Sequence, residues 1–147
     1  GSAKAQVNLG NMYTDGRGVP ENDKTAVKWY TLAAEQGDAS AQYNLGLMYG
    51  NGRGVPENDK TAVKWYTKAA EQGHAKAQSN MGLMYEYGSG VLTDNRRAYM
   101  WYNLASYNGS EQAGKNKDII AKEMTPADIS KAQDMSSRCL ESNYTDC

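Results

Sequence analysis

Apolar residues along this chain recur at helical spacing, in blocks that return every thirty-six residues. In the second block Ala41, Leu45, Met48 and Tyr49 fall on one stripe of a helix that begins at Ala39, and Ala62, Trp65, Tyr66, Ala69 and Ala70 fall on one stripe of a second, from about Asp59 to Gln72. Between them Gly50-Asn-Gly-Arg-Gly-Val-Pro56 sets three glycines and a proline where a helix cannot readily continue, and Val55 is expected to pin this turn to the core. Asn58 stands where a side-chain oxygen can cap the second helix, as do Asn22 and Asp94 in the neighbouring blocks, and Gly73 stands where a helix commonly ends. The pattern predicts one helix-turn-helix unit per block.

The sixteen residues Gly16–Thr31 and Gly52–Thr67 are identical letter for letter. Trp29, Trp65 and Trp101 form one column at the same offset, Tyr30, Tyr66 and Tyr102 the next, and Gly10, Gly46 and Gly82 a third. A glycine inside a helix costs about 1 kcal/mol relative to alanine, so this column predicts close approach of the partner helix. The tryptophans and tyrosines, in register with the buried alanines, are expected in the core against it. The third block keeps the frame but replaces the turn with Tyr87-Gly-Ser-Gly-Val-Leu-Thr. After Ala113 the frame decays: Asp118 takes the glycine column and Ala121 the tyrosine column, while Ile119, Ile120 and Met124 still read as an apolar face. Thr125-Pro126 opens a last helix with Ile129, Ala132, Ser136, Cys139, Leu140 and Asn143 on one side. The expectation is an all-α fold of eight helices: repeats at 3–38, 39–74 and 75–110, then a capping pair and tail in 111–147. All belong to one repeat domain over 1–147, with Gly1-Ser2 read as a cloning remnant.

These columns resemble the Sel1-like repeat, a relative of the tetratricopeptide repeat. The resemblance rests on Ala39-x-Ala41-Gln42, Leu45-Gly46-x-x-Tyr49, Gly52-x-Gly54-Val55, Ala62-x-x-Trp65-Tyr66 and Ala69-Ala70-x-x-Gly73. It implies a right-handed α-solenoid of three 36-residue repeats, first helices lining a concave face and second helices a convex one. It also implies a role as adaptor or scaffold in bacterial signalling, secretion, envelope or host-interaction complexes. The chain departs from the family where an aromatic residue often follows the helix cap: Asp23, Asp59 and Asn95 stand there instead.

Charge and composition narrow the partners. Sixteen basic and seventeen acidic residues are interspersed to a net charge of −1, which gives no footprint for nucleic acid or an anionic membrane, and no apolar run is long enough for membrane insertion. The single histidine, His74, stands in a helix-start column with Asp38 and Ser110 and reads as a cap, not a metal ligand. No nucleophile elbow, phosphate loop or paired-carboxylate motif is present, so no catalysis, metal or cofactor is expected. Cys139 and Cys147 can close a short disulfide across the tail, which would place the protein in the periplasm or outside the cell; the alternative is a pair of reduced thiols in the cytoplasm.

The first-helix positions not used for stacking are the candidates for binding a peptide or protein segment. Chief among them is the asparagine column Asn8, Asn44 and Asn80, whose resemblance to peptide-binding asparagines of tetratricopeptide relatives implies one amide per repeat facing an extended ligand. The alternative is that each amide bonds the neighbouring first helix. Tyr43, Leu47, Leu83 and Tyr87 are candidate apolar anchors, although the two leucines can equally pack between repeats, and Lys76 would favour an acidic segment. Three other readings place binding on the turn edge around Arg17, Arg53, Glu21 and Glu57, make the chain a structural spacer within a longer array, or, most remotely, make it an enzyme. A monomer is expected, with end-to-end contact available through the uncovered edge of the first helix.

Overall fold

The computed structural model describes residues 1–147 and contains eight α-helices and no strand: α1 (Ala3–Asp15), α2 (Asp23–Glu35), α3 (Ala39–Asn51), α4 (Asp59–Ala70), α5 (Ala75–Tyr87), α6 (Asn95–Tyr107), α7 (Glu111–Ala121) and α8 (Pro126–Glu141). They group into two compact units, Gly1–Ala69 and Ala70–Cys147.

In the first unit the helices start at their capping residues. The side-chain oxygens of Asn22, Asp38 and Asn58 accept from the backbone N–H three residues on, at 3.0, 2.8 and 3.0 Å. α3 runs through Gly50 and stops at Gly52, because among the three glycines of that turn it is Gly52 (φ 64) and Gly54 (φ 74) that adopt the left-handed backbone. α2 buries Ala26, Val27, Tyr30, Ala33 and Ala34, with Ala41, Leu45 and Met48 of α3 in the same core and Val55 packed against it. The glycine column has the reason the sequence demanded. The ring of Tyr30 lies on Gly10 and that of Tyr66 on Gly46, where an added Cβ would stand 2.5 Å from the Tyr66 ring.

The tryptophans correct one expectation. Trp29 and Trp65 are only half-buried, and the ammonium groups of Lys64 and Lys68 lie 5.8 and 5.5 Å from the Trp65 ring. Such a ring is partly wet, and it offers its face to cations as well as its edge to the core.

In the second unit α6 is central, packed by α5, α7 and α8. Its Trp101, unlike its two counterparts, is 4% exposed, and Tyr102 and Ala105 are fully buried. Of the apolar face expected in α7, Ile120 is buried and Met124 half-buried, but Ile119 is 57% exposed. A one-residue step turns a side chain about 100° around a helix, so adjacent isoleucines cannot share one narrow stripe. α8 buries Ala132, Ser136 and Cys139, and a disulfide joins Cys139 to Cys147. Asn143 and Tyr144 hold left-handed backbone at φ 53 and 66, and Tyr144 lies against Gly73 while its hydroxyl accepts from Asn108 Nδ2 at 3.0 Å. The same amide donates to Gln78 Oε1 at 2.9 Å, and Gln78 Nε2 donates to the Ala70 carbonyl at 3.0 Å.

Candidate functional site

The first unit carries a cleft of about 250 Å³ at the C-terminal ends of its two first helices. α1 supplies Asn11, Thr14 and Asp15, α3 supplies Asn44, Leu47, Met48 and Asn51, Tyr30 of α2 forms part of the lining, and Arg53 stands at the turn. Tyr30 Oη donates to Asn11 Oδ1 at 2.7 Å, and Asn44 Nδ2 approaches the same oxygen at 3.5 Å. With that oxygen receiving two donors, Asn11 keeps its own amide protons unengaged, and Asn44 keeps its acceptor Oδ1. Burial raises the Tyr30 phenol above its ordinary pKa, so it remains a donor to Asn11 across the physiological range. Arg53 is held by Asp23 in a two-pronged pair, Nε to Oδ2 at 3.2 Å and the terminal nitrogen to Oδ1 at 2.9 Å, which holds the guanidinium even more firmly protonated.

The predicted site residues fall unevenly on this geometry. Asn44 and Leu47 line the cleft together, and the contact of Asn44 with Asn11 is the first-helix bond that had stood as the alternative. Asn8 is exposed and is not part of the cleft, and Tyr43 is turned toward the core side, its ring 6.0 Å from that of Tyr66 at 40°. Within the second unit, Asn80 is half-buried, Lys76 exposed, Leu83 37% exposed and Tyr87 71% exposed. Neither of two clefts described there, one along α8 with Arg96 and one at the start of α6, includes any of those four. Sequence reasoning passed over Thr14, Asp15, Tyr30 and Asn51. The available signal was the match of Asn11 to the Leu47 column, which puts a polar residue one turn beyond Asn8. His74 is a cap, its Nδ1 accepting from the Ala77 N–H at 3.2 Å. No cluster of three His, Cys, Asp or Glu side chains offers a metal site, and no helix is long and apolar enough to cross a membrane.

Capped helix pairs at a fixed period, each locked by a tyrosine laid on a glycine, define an all-α repeat protein of the solenoid class related to tetratricopeptide repeats. The Sel1 repeat model matches residues 3–38, 39–74 and 75–110. The chain belongs to the Sel1 repeat family. Among solved structures it is similar to a Sel1 repeat protein from Oxalobacter formigenes (43% identity, TM-score 0.78, covering 80% of this chain and 49% of that one). It is also similar to c5321, a protective antigen present in uropathogenic Escherichia coli strains displaying an SLR fold (36% identity, TM-score 0.89, covering 98% of this chain and 32% of that one). Helicobacter pylori cysteine rich protein B shares the fold at 23% identity and a TM-score of 0.66, over 77% of this chain and 86% of that one. The chain thus spans about half and a third of the lengths of the first two. No curated protein matches it. Sel1-like repeat proteins generally mediate protein–protein interaction and are typically non-catalytic.

Proposed function

We propose that the protein is a non-catalytic adaptor that holds an extended segment of a partner protein in the cleft between α1 and α3. The observation that carries this reading is the pairing of Asn11 and Asn44. Their mutual contact leaves a donor on one and an acceptor on the other, the pair of groups that the C=O and N–H of a peptide main chain require. Leu47 and Met48 add an apolar wall for one partner side chain. The turn-edge reading is weakened because Arg53 is already committed to Asp23. The Cys139–Cys147 disulfide supports an oxidising location, the periplasm or the exterior.

The test is affinity capture from the source cell with the parent chain and with an Asn11→Ala/Asn44→Ala variant shown by circular dichroism to stay helical. The expected result is a partner retained by the parent and lost by the variant. A partner retained equally by both would put the binding surface elsewhere and remove the cleft from the proposal.

A further inference from the structure

Of the asparagines in the chain only two, both in the second unit, head an Asn-x-Ser/Thr triplet without a central proline: Asn108-Gly-Ser110 and Asn143-Tyr-Thr145. That triplet is the acceptor signal for an N-linked oligosaccharide in exported proteins, and it takes effect only where the amide can be reached. The structure separates the two. Asn108 is half-buried, and its Nδ2 donates to Gln78 Oε1 at 2.9 Å and to Tyr144 Oη at 3.0 Å, while the Ser110 hydroxyl caps α7 by accepting from the Ala113 N–H at 3.2 Å. Both amide protons of Asn108 are therefore engaged, and a sugar on that nitrogen would break the network that closes the second unit.

Asn143 differs on each count. It is exposed, lies beyond the end of α8 at Glu141, and holds left-handed backbone at φ 53, which asparagine tolerates. Its side-chain amide is hydrogen-bonded to nothing in the chain. Tyr144 is the residue that docks, against Gly73 and Asn108, and it leaves Asn143 outside. The loop is closed by its own Cys139–Cys147 disulfide, so residues 139–147 set its shape. Glu141, also exposed, stands two residues ahead of Asn143 and completes Glu-x-Asn-x-Thr, the longer signal that bacterial oligosaccharyl transferases read; Asn108 has Ser106 at that place.

We propose that Asn143 is the acceptor of an N-linked oligosaccharide, attached before the loop docks. In the transfer, Asn143 Nδ2 bonds to the anomeric carbon of a sugar carried on a polyprenyl diphosphate. The bond from that carbon to the diphosphate oxygen breaks, and the lipid diphosphate leaves with the electron pair. One amide proton passes to a base of the transferase, and nothing is oxidised or reduced. The order follows from the loop. The Thr145 hydroxyl, which the transferase must hold, donates to the Ser142 carbonyl at 2.8 Å, and Tyr144 is docked, so the closed loop has to open before it is read. Once the loop has closed, a sugar on Asn143 stands in solvent. The inference is independent of the cleft between α1 and α3 and rests on the oxidising location drawn from the disulfide.

Trypsin cuts after Arg138 and finds no later Lys or Arg, so both cysteines and the acceptor leave in one peptide, 139–147. The test is mass spectrometry of that peptide in protein isolated from its source cell with thiols blocked at lysis. The expected result is a sugar on Asn143, a bare Asn108, and loss of the sugar in Asn143→Gln and Thr145→Ala chains. A disulfide-bonded but bare peptide would overturn the proposal and leave the oxidising location standing, whereas free thiols would overturn both. A sugar on Asn108 would overturn it as well. The order is read with a purified bacterial oligosaccharyl transferase and its polyprenyl-diphosphate donor. The reduced full chain should be modified at least about tenfold faster than the oxidised one, because opening must precede transfer, and Glu141→Gln should abolish the reaction. Equal rates in the two redox states, or no transfer to the reduced chain, would overturn the proposal.

Discussion

Trp65 and Trp101 occupy the same column and share the same Ala-x-x-Trp-Tyr frame, yet one is half-buried beneath two lysines and the other is 4% exposed. Their surroundings explain the difference. In the second unit α7 and α8 both pack on α6 and exclude water from it, whereas the Trp65 indole keeps a wet face shared with Lys64 and Lys68. The repeat motif therefore specifies where the indole points, and the elements packed over it decide how much free energy its burial yields.

That comparison can be broken most directly at the indoles. Trp101→Ala should cost about 4 kcal/mol in urea unfolding, as a large buried aromatic does, and Trp29→Ala about 1–2 kcal/mol. Equal costs would show that burial in the second unit adds nothing. Reduction of the Cys139–Cys147 disulfide should cost the second unit about 2 kcal/mol. Hydrogen exchange should quicken in α6 and α8 but not in α2 and α3, and a Cys147→Ser variant should be insensitive to reductant.

The tyrosines sharpen the contrast through pH. Burial, first, and then the bond to Glu86 raise the Tyr102 phenol above its ordinary 10.0, and burial raises that of Tyr30. Each pKa is higher folded than unfolded, so its contribution to stability is complete below about pH 10 and is lost as pH rises further. Denaturation at about pH 8 and pH 11 should show alkaline loss that Tyr102→Phe reduces more than Tyr30→Phe. The smallest effect is expected at Arg53→Ala, about 0.5 kcal/mol, because the Arg53 side chain is 45% exposed.

Much of the fold was legible because it was written three times. Caps, turns and the glycine column needed only periodicity and the chemistry of helix ends. Gly50 shows where that reading loses resolution: a run of glycines marks a turn, but which of them takes positive φ depends on the hydrogen bonds that close the last turn of α3. Ile119 and the two half-buried tryptophans were misjudged for a different reason, since a stripe of apolar residues does not say how much neighbouring structure covers it. The cleft was legible only in part. Asn44 and Leu47 could be placed by column, but Tyr30 bonding Asn11 joins helices of one repeat, and Arg53 turning back to Asp23 joins two repeats; neither follows from spacing along one helix.

The chain of amides from the Ala70 carbonyl through Gln78 and Asn108 to Tyr144 ties the start of the second unit to its far end. During synthesis the first unit has all its residues once position 69 has emerged, but the second lacks its closing tyrosine until position 144 has been made. The two units are therefore complete at different moments of synthesis: the contacts that define the first end at position 69, whereas the network that closes the second is complete only when Tyr144 has been added, several seconds later at about 5–20 residues per second, wherever the chain then folds.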